Sequence, residues 1–282
     1  MVVIFAFVAA ALYGTADFLG GAASRRAPAL AVLCVTATFG EIILIAAALV
    51  AGGPLRMAGL PWALAGGAAG AFGLVVFYVG LATTRMSVVA PVSALVSTVL
   101  PVGVAVAGGE RPSLLVAIGA VICLVAIILV SMEGSAAGPR GRGGSLRGLG
   151  YGVAAGVGFG LFLICLKNAG TSGVWWPSAM AGLAGAVIAL AAAGLTRTRP
   201  VWWRTSPGTF GMALASGVFD SLANVSYVVA TREGLFGLAV VITSLYPGVT
   251  VLLARLTLGE RIHLIQRVGL ALAATGVVML TV

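Results

Sequence analysis

The chain has 282 residues, 61% of them apolar and only 8% charged, and its mean hydropathy is +1.16. Charged residues make up about a quarter of an ordinary soluble domain, so this composition excludes one and marks an all-α integral membrane protein. The formal net charge of +9 does not point to nucleic acid, because the arginines stand singly or in small groups between apolar runs, where they act as topology signals.

A membrane-crossing helix needs about 20 mostly apolar residues. The sequence predicts ten such transmembrane helices, at 2–23, 29–51, 60–82, 86–107, 113–132, 148–167, 175–195, 208–230, 235–257 and 262–281. The first has no basic region before it and no small-residue cleavage site after it, so it reads as a retained span. The 41 glycines suit helices that approach closely where lipid supplies no hydrophobic drive. Cys34, Cys123 and Cys165 each lie inside an apolar run without paired or metal-like spacing, so no disulfide framework, metal or cofactor is expected. Trp175, Trp176, Trp202 and Trp203 fall at span edges, as an interfacial belt requires, and His263, the single histidine, stands at the start of the last span.

The last forty residues have a counterpart in the first half. Thr243, Pro247, Glu260-Arg261 and the apolar run Leu270–Leu280 match Ser97, Pro101, Glu110-Arg111 and Ile118–Val130. Tyr13-Gly14 recurs as Phe159-Gly160, at a similar offset of about 146 to 150 positions, although the interval from Pro101 to Glu110 is four residues shorter than its partner. The chain therefore divides into a first repeat at 1–132, a linker at Glu133–Arg147 rich in Gly, Ser and Arg, and a second repeat at 148–282. Five spans per copy is an odd number, so the second copy enters the membrane from the opposite side and the repeats are inverted. Loops after odd-numbered spans hold twelve basic residues, among them Arg25, Arg26, Arg140, Arg142, Arg147 and Arg255. The other side holds four: Arg56, Arg111, Lys167 and Arg232. The positive-inside rule puts the odd loops in the cytoplasm and both termini outside.

The paired signatures, Pro-containing fourth and ninth spans ending in Gly-Glu-Arg before a Gly-rich closing span, resemble the EamA-type members of the drug/metabolite transporter superfamily over essentially the whole chain. The opening Tyr13-Gly14-Thr15-Ala16-Asp17-Phe18-Leu19-Gly20 resembles the Trp-Gly-x-x-Asp-Phe-x-Gly start of one EamA subgroup, with Tyr in place of Trp. The resemblance implies a multi-pass carrier of small metabolites in the cytoplasmic membrane.

Three acids lie within spans: Asp17, Glu41 and Asp220. Each costs about 2.5–3.5 kcal/mol at mid-membrane on insertion scales, which makes an intramembrane carboxylate a functional candidate. Asp220 shares one stripe of the eighth span with Ser216, Asn224 and Tyr227, a pattern that faces either a cavity or a neighbouring helix. Glu41 has Cys34 and Thr38 on its own face. Asp17 lies on the face of Tyr13, which is placed to donate to it, and is also near enough to Arg25 and Arg26 for a structural ion pair. Pro101 and Pro247 deprive the carbonyls of Ser97 and Thr243 of their helical partners, and in hydrocarbon such groups must be met by protein or by cavity water. Equivalent kinks in both repeats, flanked by Ser93, Ser97, Thr243, Tyr246 and Thr250, are thus expected to border a pathway or else only to shape packing. The two Gly-Glu-Arg sites are expected to cap and tether the helix that follows each.

Hydrolytic chemistry is not expected, since there is one histidine and no His-Glu-x-x-His. The sequence points to a secondary transporter exporting a small-molecule substrate in exchange for protons, as a monomer or homodimer in the lipid bilayer. Asp220 is the main coupling carboxylate and Glu41 its partner. A channel or facilitative uptake pore for a small solute is the alternative.

Overall fold

The computed structural model describes residues 1–51, 55–84, 86–131, 143–195, 206–258 and 263–281. Among these the chain forms α-helices and two short 3₁₀ turns, with no strand. The helices are α1 (Val2–Ser24), α2 (Ala29–Ala51), α3 (Leu60–Thr83), α4 (Met86–Ala107), α5 (Leu114–Ser131), α6 (Gly143–Ala169), α7 (Trp175–Leu195), α8 (Pro207–Arg232), α9 (Phe236–Thr243), α10 (Tyr246–Leu258) and α11 (Leu264–Thr281). Seven segments are long and apolar enough to cross a membrane, one of them running over α9 and α10. Val92–Ala107, Leu114–Val130 and Leu264–Leu280 are shorter apolar helices. Local signals set the boundaries: Ser206 caps α8 by accepting from the Thr209 N–H at 3.4 Å, with Pro207 in its first turn. The segment expected to link the repeats lies partly outside the described residues, and α6 begins within it, at Gly143. Arg85, Trp202, Trp203, Glu260 and Arg261 also lie outside them.

Numbering helices from the start of each half pairs α1 with α6, α2 with α7, α3 with α8, α4 with the α9 and α10 segment, and α5 with α11. The packing respects this exchange. The contact of α1 with α8 is matched by α6 with α3, that of α2 with α8 by α7 with α3, and that of α1 with α10 by α6 with α4. The α2–α7 and α5–α11 contacts map onto themselves. The two halves are therefore interlocked, each helix lying against the other half. Glycine makes the tightest crossings possible. Gly40 of α2 and Gly217 of α8 face each other's helix backbones so closely that a Cβ on either would overlap it, and a Cβ at Gly14 would come within 2.6 Å of the Tyr246 carbonyl oxygen.

The two prolines sit in different local structure. Pro247 has no N–H for the Thr243 carbonyl, and the ninth span breaks there: α9 stops at Thr243, and turns from the Leu245 N–H to the Ile242 carbonyl (3.1 Å) and from the Gly248 N–H to the Leu245 carbonyl (2.9 Å) lead into α10. Pro101 lies in a continuous α4 and is fully buried, where a Cβ at Gly160 of α6 would touch its ring. There α4 packs against α6, and the hydroxyls of Ser97 and Thr98 turn back to the Ala94 carbonyl at 3.0 and 2.8 Å.

The helix ends that start with α1 and finish with α2 are closely packed. Ala9, Leu166, Ala169, Tyr227, Val228, Phe236 and Val240 share one buried cluster, and Ala6, Cys123, Ala230, Ala239, Val241 and Ile242 share a second. Toward the opposite ends α1, α2 and α8 still share a smaller buried cluster of Ala23, Val32, Val35 and Ala213, and beside it the bundle opens.

Candidate functional site

A cavity of about 920 Å³ occupies that opening. Its wall runs from the bundle's middle, at Glu41, Ser97, Phe162 and Asn224, to a mouth near Arg25, Ala192 and His263. Asp17, Glu41 and Asp220 all stand in it, so three helices that are distant in sequence, α1, α2 and α8, bring their acids to one space. Asp220 lies within Coulombic reach of both the other acids.

The three acids differ in surroundings. Asp17 is exposed, and what it is exposed to is the cavity. Asp220 is half-buried and accepts a hydrogen bond from the Asn224 Nδ2 at 3.3 Å. The Asn224 Oδ1 in turn accepts from the Tyr13 hydroxyl at 2.6 Å, which ties α1 to the polar turn of α8. Tyr13 therefore serves Asn224, not Asp17 as the i, i+4 spacing suggests. The amide can accept from the phenol while donating to the carboxylate, a chain of two bonds that fixes the Asp220 side chain. Glu41 is only 5% exposed; the Ser221 hydroxyl hydrogen-bonds its carboxyl, while its Oε2 has no partner. Thr38 Oγ1, one turn away, is also buried without a partner, and the Cys34 thiol points to the Ala189 carbonyl at 3.9 Å. Glu41 can occupy its place because residue 182 on the facing α7 is glycine: a Cβ there would overlap its carboxyl group.

The polar stripe of α8 divides. Asp220 and Asn224 line the cavity, whereas Ser216 donates to the Ala16 carbonyl at 2.8 Å and Tyr227, fully buried, donates to the Leu163 carbonyl at 3.1 Å. Expected as cavity residues, these two serve as interhelical contacts. A single periodicity places four side chains on one face but does not say which neighbouring helix takes each end of it. The hydroxyl residues around the prolines do meet the cavity: Ser93, Ser97, Thr243, Tyr246 and Thr250 all line it, as does Pro247. Thr243 donates to the Ala6 carbonyl at 3.5 Å and Thr250 reaches the Gly14 and Tyr246 carbonyls at 3.1 and 3.2 Å. Pro101 is packed away from it.

Of the aromatic wall the sequence singled out Tyr13 and Tyr246 but not Phe77 and Phe159. Phe77 and Phe159 pack edge to face at 6.0 Å, and Tyr13 and Tyr246 stand 6.2 Å apart. The signal was present, since Phe159 is the repeat counterpart of Tyr13. Glu110 also does something unforeseen. Gly109, at φ +99°, turns the end of α4 back, and the Glu110 carboxylate accepts the N–H groups of Phe236 and Gly237 at 2.6 and 3.0 Å. It caps α9 in the other half, not α5 as expected, because the first N–H groups of α9 are unsatisfied and lie next to that turn. Lys167 stands 5.2 Å over the Phe236 ring at the same junction. Among the described residues no grouping of His, Cys, Asp and Glu suits a metal ion.

Comparison with known proteins adds the lineage. One solved crystal structure of a protein superposes with a TM-score of 0.80 at 19% sequence identity, over 99% of this chain and 96% of that chain, a likeness that speaks for the fold. No curated protein matches the sequence. The sequence profile of the EamA-like transporter family matches residues 1–132 and, separately, residues 146–282. With both halves accounted for, this multi-pass membrane protein belongs to the EamA-like transporter family.

Proposed function

We propose that this transporter is a secondary carrier that exports a small metabolite across the cytoplasmic membrane by alternating access, in exchange for protons. The observation that carries the reading is the cavity of about 920 Å³, whose wall of three carboxyl groups runs from the bundle's middle to one end while the helices pack closely at the other. A carrier needs a central site open to one side at a time, and a channel needs a continuous path. The closed packing around Phe236 and Val240 favours the carrier. On this reading residues 1–132 and 148–282 are inverted repeats joined by 133–147, and the exchange symmetry of the helix contacts supports that relation. The basic-residue count puts the mouth on the cytoplasmic side, the side from which an exporter loads.

Asp220 is the coupling carboxylate in this proposal and Glu41 its partner, with Asp17 in binding or gating. A carboxyl group at low dielectric disfavours its charged form, so it can carry a proton through the membrane's middle and give it up once water reaches it. The second reading, a facilitative pore, rests on the same polar wall. Purified protein in proteoliposomes with an imposed pH gradient decides between them. Saturable counterflow accelerated by the gradient supports the exchanger, and flux without saturation or counterflow supports the pore.

A further inference from the structure

The chemistry of the cavity wall bears on what it holds. Four of its hydroxyls are already committed to the protein: Tyr13 donates to Asn224, Ser97 to the Ala94 carbonyl, Thr243 to the Ala6 carbonyl, and Thr250 to carbonyls of α1 and α10. One N–H of the Asn224 amide goes to Asp220. Acceptors remain. Asp17 is exposed to the cavity, and the buried Glu41 carboxyl keeps an oxygen without a partner. A ligand that complements this wall brings donors or positive charge. Among the described lining residues, side chains able to carry positive charge are Arg25 and His263, and both stand at the mouth, beyond the last turn of α1 and before the first of α11. An anion would meet three carboxyl groups at depth and no opposite charge there. Beside the acids stand the rings of Tyr13 and Tyr246, and opposite them those of Phe77 and Phe159. Aromatic faces attract cations and stack flat apolar bodies.

We infer that the substrate is an organic monocation, an amine or quaternary nitrogen attached to a flat apolar body, with the charged group at Asp17 and Asp220 and the body among Tyr13, Tyr246 and Phe159. This deepens the carrier reading and rests on it. A monocation exchanged for one proton leaves the net charge of wall plus ligand unchanged, so a carboxylate that gives up its proton is met by the cation.

Three indoles of similar size and different charge test the inference in proteoliposomes holding the full-length protein: tryptamine, tryptophan and indole-3-propionate. The expected result is saturable counterflow of tryptamine, competed by tetraphenylphosphonium, with the zwitterion and the anion at least tenfold weaker. Asp17→Asn should weaken tryptamine more than tenfold. Should that variant fold poorly, the melting temperature of the wild-type protein in detergent gives the same comparison, tryptamine raising it and tryptophan leaving it unchanged. Counterflow of tryptophan or indole-3-propionate equal to or above that of tryptamine overturns the cation assignment and leaves the carrier standing. No counterflow and no thermal shift with tryptamine or tetraphenylphosphonium overturns it as well, and the carrier is then judged by the pH-gradient experiment on other metabolites.

Discussion

Gly182 of α7 stands directly against the carboxyl group of Glu41 on α2, leaving no room for a side chain between the two helices. Gly182→Ala should force one of them to move. Overpacking of this kind costs about 1–3 kcal/mol, and the variant should melt earlier and transport more slowly. Gly194→Ala, on the same helix with open space around it, should do neither. Combining Gly182→Ala with Glu41→Ala should recover the melting temperature, since the clash is then gone. Additive losses in the double variant would show that the methyl group strikes something else.

Asp220→Asn keeps the size of the side chain and most of its hydrogen bonding, including a partner for Asn224, but cannot exchange a proton. We expect it to fold and to perform counterflow while losing acceleration by a pH gradient. Asp220 is hydrogen-bonded by Asn224 and lies within Coulombic reach of Asp17, Glu41 and Tyr13, so Glu41→Gln should reduce that acceleration in part. Full pH-driven transport in Asp220→Asn would move the coupling role to Glu41 or Asp17.

The two prolines should behave differently. Pro247→Ala supplies the N–H that the Thr243 carbonyl lacks, and should straighten the segment from Phe236 to Leu258, slowing transport with little change in folded yield. Pro101 sits in a helix that is already continuous, and Pro101→Ala should transport within about twofold of the parent. Equal effects at both sites would contradict the asymmetry between α4 and the broken ninth span.

Glu110→Ala removes the acceptor for the first two N–H groups of α9. Loss of such a cap costs about 0.5–2 kcal/mol, and hydrogen exchange at Phe236 and Gly237 should rise by about two- to thirtyfold. Glu110→Gln, which keeps one accepting oxygen, should fall between. Unchanged exchange in the alanine variant would show that another group holds that end of α9.

Orientation has its own check. A single cysteine placed between residues 133 and 147 in a cysteine-free background should be protected from an impermeant thiol reagent in intact cells. Labelling from outside would invert the assignment of the cavity mouth.

Much of this fold is legible in the residues. Of the ten expected spans, apolar runs give seven helices long enough to cross a membrane and three shorter ones among the described residues, the recurrence of Pro, Glu-Arg and Gly points to the two halves, and intramembrane cost singles out the three acids that meet in one cavity. What stays hidden is set by partners. The α8 stripe is real, yet Ser216 and Tyr227 turn to carbonyls of α1 and α6 because those helices cross there. Tyr13 bonds Asn224, 211 positions away, in preference to the acid one turn along its own helix. Glu110 finds α9 because two chain ends meet in space. The same proline leaves one helix whole and breaks another, and the difference lies in the neighbours each helix packs against.

That difference has a thermodynamic meaning. Two halves with the same contacts and unlike shapes amount to two solutions of one packing problem, held side by side in a single molecule. On the alternating-access proposal the second state is their exchange, with α4 broken at Pro101, α9 and α10 fused, and the cavity open at the opposite end. For a perfectly repeated sequence both arrangements would have the same free energy, and each would be half populated. Asp220 and Glu41 have no acidic counterpart across the repeat, where the residues near Phe72 and Val187 are apolar. On that proposal the scaffold supplies two states close in free energy, and the acids bias them by an amount that depends on what they have bound.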